Sequence, residues 1–555
     1  MWNTVVGKGF TLVCYDAFRG GSVRRDVVLD ENHGFTLYDM EPGDYYISIR
    51  KDGVTLYNGV HAALHPTQTT WKQAPDDTDW NNWNNWTDGA PWTCTNVIIP
   101  GNCVRYPELA EADENYCANL HIADGGEIVH TQYLDRYDYA WVEHSLQPGS
   151  YYMLSAPLKQ MVTGDLFVPA RFGGDHSTEA YFTSLTPMTS PESRFTPRVF
   201  QRFWSSTAPG KIVGQDGSLQ TVEVGVDQTN WTAPFNAVAE PYRPGMGFSV
   251  RTDGAATFRF PKTHTQYTYF DAAGHSTGLT EPVVRTTSEI GRLLTDDMTG
   301  KADYQVSVNN QKAGNTFVVG NPFLTHIDIA KFLQANPGLS AVTLNDGVSN
   351  ITISKAEGGV IATEEGYTHI APMQAFYVTT TTSGTELTVT FTADMQQQMP
   401  GYNISRSSAS ATRALTRSLP TGHNSLRLTA TCGGHSSSCL VRISASAADA
   451  YRTGEDTKLL VDADMQPAVT VFTTADGQAL SIQQRRGGTK IPVGLHLKQK
   501  AKVTLALAHA AGDAWSDWVL LDCLTGRRYP LSGSFTYLDL GLVDTQSGRL
   551  SLIRK

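Results

Sequence analysis

Between residues 76 and 89 the chain concentrates side chains that would ligate a hard cation and side chains that would stack on a flat ligand. The stretch reads Asp76-Asp77-Thr78-Asp79-Trp80-Asn81-Asn82-Trp83-Asn84-Asn85-Trp86-Thr87-Asp88-Gly89. Asp77, Asp79, Asn81, Asn85 and Asp88 stand at positions 1, 3, 5, 9 and 12 of a calcium loop, where oxygen ligands belong. Calcium is therefore the one cofactor that this stretch raises, with Asp77, Asp79, Asn81 and Asp88 as its metal set. The sixth position is Asn82, where the loop's sharp turn calls for glycine, and no helical pattern flanks the segment. The competing reading is a turn-rich loop whose Asn and Asp side chains bond their own backbone. Trp80, Trp83 and Trp86 recur every third residue. On an extended helix of three residues per turn they would line one side as a platform for sugar rings; on a strand they would alternate between faces. They are the candidate ligand-binding residues.

Elsewhere the reactive residues are sparse. Seven cysteines leave at least one unpaired within the chain. Cys432 and Cys439 are the expected disulfide, if Gly433 to Ser438 connects two strands and brings both sulfurs onto one inward face. Two buried thiols are the other reading. Cys94, Cys103 and Cys117 lack the paired short spacings of a zinc site. There is no His-Glu-x-x-His, no Gly-x-Ser-x-Gly and no phosphate-binding glycine loop. His326 and Asp328 fall in the predicted first turn of a helix, where the acid caps. The expectation is a noncatalytic protein.

The elements that would carry these residues are strands. The chain has 555 residues, of which 17% are charged, against roughly 25% in an average soluble domain. Thr, Ser, Asn and 49 Gly fill the difference, as in extracellular β proteins. A net charge of −11 argues against nonspecific nucleic-acid binding. No apolar run is long enough for a membrane-spanning helix.

One motif occurs twice. The first copy opens Tyr151-Tyr152-Met153-Leu154-Ser155-Ala156-Pro157 and closes Pro244-Gly245-Met246-Gly247-Phe248-Ser249-Val250. The second opens Thr316-Phe317-Val318-Val319-Gly320-Asn321-Pro322 and closes Pro372-Met373-Gln374-Ala375-Phe376-Tyr377-Val378. Buried strands stopped by proline account for both. The intervening segments differ in length, and the longer, in the first copy, carries Phe200, Phe203, Trp204 and Trp231 as core cover or as a binding surface. One short helix is predicted over 325–336.

The predicted organisation is all-β, with several β-sandwich-like domains in tandem. It begins with a sandwich over 1–65 that resembles immunoglobulin-like or transthyretin-like domains, carried by Pro42-Gly43-Asp44-Tyr45 before a strand. Short stacked strands follow over 66–145, the duplicated region over 146–401, a linker over 402–423 and a C-terminal sandwich over 424–555. The start, Met1-Trp2-Asn3-Thr4-Val5-Val6, lacks the pattern of a signal peptide. It reads as the middle of a β domain, so Met1 is not expected to be the natural beginning.

Asn85-Trp86-x-x-Gly89-x-Pro91, Asn96-Val97-Ile98-Ile99-Pro100, Tyr106-Pro107 and Cys117-x-Asn119-Leu120-x-Ile122 resemble segments of large adhesin-like cell-surface proteins of the Bacteroidota. Those proteins are commonly cargo of the type IX secretion system. The resemblance implies an extracellular or surface location and a role in attachment or as a structural stalk. The partner would be a host or microbial surface glycan or protein. A carbohydrate-binding or carbohydrate-degrading surface protein is the alternative.

Overall fold

The computed structural model describes residues 10–28, 35–149, 151–166, 181–182, 199–204, 210–213, 219–222, 231, 240–260, 266–270, 276–282, 286, 288–298, 303–311, 313–345, 350–356, 359–364, 366–400, 424–460, 468–509, 514–531, 533–544 and 546–555. Strand accounts for 54% and helix for 6%, so the fold is all-β. Among the described residues there is one α-helix, Ile329–Ala335. Its N-cap is Asp328, whose carboxylate accepts from the Lys331 N–H at 3.0 Å. The lead-in His326–Asp328 is a strand, so the helix starts later than its sequence signal. The linker expected over 402–423 lies outside the described residues.

The chain divides into two compact units. One comprises Met1–His144 with Gln398–Gly401, the other Ser145–Gln397 with Tyr402–Lys555.

The first unit begins with strands β1 (Phe10–Asp16), β2 (Ser22–Val27), β3 (Gly43–Lys51) and β4 (Val54–Leu64). They form an antiparallel sheet in the order β2-β1-β3-β4. Alternation along β1 and β3 buries Phe10, Leu12, Cys14, Tyr45, Ile47 and Ile49 together. Among the described residues, 1–65 is thus one sheet.

Next come β5 (Gln68–Thr70), β6 (Asn96–Ile99), β7 (Asn119–Ile122) and β8 (Tyr139–Leu146). Each pairs in parallel with the next: Gln68 with Asn96, Asn96 with Asn119, Asn119 with Tyr139. A second parallel ladder runs through Asp79, Glu108 and Val129. A chain that returns at such regular intervals to lay a strand on the previous one is a short β-solenoid. Every second side chain of its strands points inward, giving a core of Val97, Ile99, Leu120, Ile122, Ala140 and Val142.

In the second unit the duplicated motif builds the same frame twice. In the first copy the closing strand Gly247–Thr252 lies between the opening strand Tyr152–Ser155 and a middle strand Val199–Phe203. In the second, Ala375–Thr380 lies between Thr316–Gly320 and Leu339–Asn345, and two further strands extend the sheet. The register repeats as well. Phe248 faces Leu154 and Phe203, as Phe376 faces Val319. Val378 pairs with Val342 where Val250 pairs with Gln201.

The two copies then pair reciprocally. The Ser155 N–H donates to the Met373 carbonyl at 2.8 Å, and the Gly320 N–H to the Gly245 carbonyl at 2.8 Å. Leu154 bridges to Gln374 as Val319 bridges to Met246. Both residues whose carbonyls accept sit in the left-handed region, Gly245 at φ 69° and Met373 at φ 57°. Ser155 and Gly320 hold equivalent places, as do Gly247 and Ala375, so these four residues surround a pseudo-twofold axis. Only one member of each pair can be bulky. A Cβ on Gly320 would overlap that of Ser155, and one on Gly247 that of Ala375. Tyr152, Met153, Leu154, Phe248, Val250, Phe317, Val318, Val319, Phe376 and Val378 are all buried.

From Ser425–Cys432 to Gln546–Arg554 in sequence, the C-terminal strands form an eleven-stranded sheet around a core that includes Leu428, Val471, Leu495, Leu505, Trp518 and Leu552. Here the expected disulfide fails. The hairpin turn is Gly433-Gly434 alone, at φ 56° and 84°, and Ser436, Ser437 and Ser438 are strand residues paired with Thr431, Ala430 and Thr429. Cys432 therefore faces His435, and Cys439 faces Leu428. Four residues of register separate the cysteines by roughly 13 Å along the strand, beyond the ~7 Å that a disulfide spans. Both are buried free thiols. Peptide mapping without reductant is expected to recover each as an alkylated thiol; a linked Cys432–Cys439 peptide would contradict this register.

Candidate functional site

The tryptophan-rich stretch folds inward. Trp80 and Trp86 are 1% and 0% exposed in the solenoid interior, and Trp86 meets both Trp71 and Trp80 edge-on at centroid distances of 4.9 and 5.0 Å. Only Trp83 turns outward, because a 3₁₀ turn over Trp83–Asn85 breaks the three-residue spacing. Its ring lies against Gly89 and is 5.2 Å from His65, which stacks on Trp92 at 5.1 Å. These rings cover one another's faces. The flat platform of Trp80, Trp83 and Trp86 is not formed.

The acidic positions serve the loop's own backbone. Asn85 is fully buried, accepts from the N–H groups of Asp76 and Asp77, and donates to Asp77 Oδ1 at 2.6 Å and to the Asp79 carbonyl at 2.8 Å. The Asp77 carboxylate also accepts from the Asp79 N–H and from Asn82, and Asp79 accepts from the Asn81 N–H. Burial raises the Asp77 pKa, but the bonds from Asn85, Asp79 and Asn82 outweigh it and hold the carboxyl below its ordinary value. Asp88 accepts from Thr87. Among the described residues no three His, Cys, Asp or Glu side chains gather as a metal set, so Asp77, Asp79 and Asp88 do not converge. The turn-rich reading describes this segment.

A cavity of about 210 Å³ opens instead in the first copy of the duplicated frame. Phe203, Trp204, Tyr242 and Phe248 supply its aromatic wall, and Glu240, Arg243 and Met246 contribute to its lining. Strand pairing brings Phe203 beside Phe248, and the segment leading into Pro244 folds Tyr242 over Phe248 at 4.2 Å, nearly parallel. Glu240 and Arg243 are exposed, while Tyr242 is 4% exposed. Of the four aromatics singled out in the long segment, Phe200 and Trp231 are buried, and Phe203 and Trp204 are half-buried at the cavity.

Behind this wall lies a polar network. The Tyr242 hydroxyl donates to Gln201 Oε1, and Gln201 Nε2 donates to the Thr163 carbonyl at 2.9 Å. Asp165 accepts from the Val162 N–H at 2.9 Å. Burial, and then the charge of Asp165, push the Tyr242 pKa well above its ordinary value, which keeps the phenol a donor. With its hydroxyl engaged inside and its ring stacked on Phe248, Tyr242 closes the back of the cavity wall.

The second copy provides an internal comparison. Its counterpart of Gln201 is Val342, inside an apolar core with Ile370, Phe376 and Leu344. Phe332 of the helix packs edge-on against Phe376 at 5.3 Å. Among the described residues, the second frame is thus packed with apolar side chains, while the first is backed by polar groups and bordered by a cavity. Phe203 and Trp204 stood out in the sequence as surplus aromatics; Gln201, Tyr242, Glu240 and Arg243 did not, and the one signal for the last three is proximity to the closing Pro244.

No family model, curated protein or solved structure matches this chain.

Proposed function

We propose that the chain is a noncatalytic bacterial cell-surface protein that acts in attachment, holding its partner through the first copy of the duplicated region. The observation that carries this reading is the contrast between the two copies. A frame built twice at the same register, packed around an apolar core in one copy and bordered by an aromatic cavity in the other, separates scaffold from recognition, and binding sites are commonly set beside loops on a rigid support. The low charge, the tandem β architecture and the resemblance to adhesin-like Bacteroidota proteins support an extracellular setting. The partner is a host or microbial surface glycan or protein.

The test uses the full chain and its Arg243→Gln and Trp204→Leu variants, measured for attachment to arrayed surface glycans and to immobilised cells. Arg243 is exposed, so its replacement should leave the melting temperature unchanged. Attachment should weaken about tenfold or more in both variants, a loss of at least ~1.4 kcal/mol. Attachment that is untouched by either change would remove the first copy from the binding role.

A further inference from the structure

We infer that the first-copy cavity takes a single neutral sugar ring, an assignment that rests on the binding role proposed above. Size sets the first limit. At about 210 Å³ the cavity falls below the roughly 300–1,000 Å³ of pockets for drug-sized ligands, so it suits one ring. Chemistry sets the second. The half-buried Phe203 and Trp204, with the edges of the mutually stacked Tyr242 and Phe248 behind them, offer aromatic surface on which the C–H face of a pyranose packs with loss of apolar contact to water. Tyr242 adds no polar demand, because Gln201 already holds its hydroxyl.

The third limit is the pair Glu240 and Arg243. One is an acceptor and the other a donor, and together they carry no net charge. An anion would meet Glu240, and a cation would meet Arg243. A hydroxyl both donates and accepts, so neighbouring hydroxyls of one sugar satisfy both groups without bringing a charge. The guest thus has an apolar face toward the aromatics and a hydroxylated edge toward Glu240 and Arg243. A zwitterionic aromatic amino acid is the competing guest, since its two charges also complement the pair.

Saturation-transfer NMR of the full chain with the methyl glycosides of glucose, galactose, mannose and N-acetylglucosamine tests the assignment, with L-phenylalanine as the competing probe. At least one glycoside should bind saturably with transfer centred on its C–H face. Glu240→Gln and Arg243→Gln should each weaken it about tenfold at unchanged melting temperature. Trp83→Ala, in the other unit, should leave it unchanged. Displacement of the glycoside by L-phenylalanine at lower concentration would overturn the sugar assignment in favour of the amino acid. If no glycoside binds while Arg243→Gln still removes attachment, the sugar assignment falls and the binding role stands. If no glycoside binds and attachment is also unaffected, both fall.

Discussion

Gly320→Ser should destabilise the second unit by about 3 kcal/mol, and adding Ser155→Gly to the same chain should recover most of that loss. The two positions face each other across the pseudo-twofold axis, and a second Cβ there would overlap the first. Both are buried ends of paired strands whose backbones are held by reciprocal 2.8 Å hydrogen bonds, so neither strand can retreat cheaply. Ser155 donates from Oγ to the Asn321 carbonyl at 2.8 Å. In the exchanged protein the new serine should find the equivalent carbonyl, that of Ala156. Ser155→Gly alone should cost about 1 kcal/mol for the lost hydrogen bond. Urea denaturation of the four proteins completes the cycle. A double variant no more stable than Gly320→Ser would show that the two sites are not interchangeable.

Trp86→Ala should cost ~3–5 kcal/mol, the range for emptying a buried aromatic site. Trp86 fills the solenoid between Trp71 and Trp80, and its Nε1 donates to the Trp80 carbonyl at 2.7 Å. Truncation would remove the ring, two edge-on contacts and that bond together. Trp83→Ala, three residues away, should cost only about 1 kcal/mol, because the half-buried ring leaves less of its surface to lose. Thermal denaturation monitored in the first unit separates the two. Equal losses would mean that Trp83 belongs to the interior core.

What the sequence revealed and what it concealed divide along one physical line. The opening strands of the duplicated frame were legible because each is an apolar run stopped by proline, and the closing strands because each follows a proline at a matching spacing. Burial of Phe248 and Phe376 follows from that pattern alone. The tryptophans were ambiguous because an even spacing has no meaning until the backbone between them is known, and a single 3₁₀ turn reversed Trp83 relative to its neighbours. Cys432 and Cys439 were misplaced for a related reason. Three serines carry weak strand preference, so the pairing that holds Ser436 to Ser438 in the ladder is tertiary. The cavity was the least visible feature. Phe203 and Glu240 are remote in sequence and meet only because the middle strand pairs with the closing strand.

The order of strands also determines how the duplicated region would respond to a pull. The chain enters the first copy at Tyr152, which is paired directly with Val250 near the exit. It enters the second at Thr316, paired with Thr379, and the flanking strands repeat the arrangement with Tyr304 opposite Phe391. Tension applied through the chain therefore acts across neighbouring antiparallel strands at the end where both termini lie. Their hydrogen bonds run perpendicular to the strands and would open one pair at a time, like a zip, instead of sharing the force in shear. A tether made of such modules yields early and lengthens under load, which suits a shock-absorbing grip better than a stiff mast.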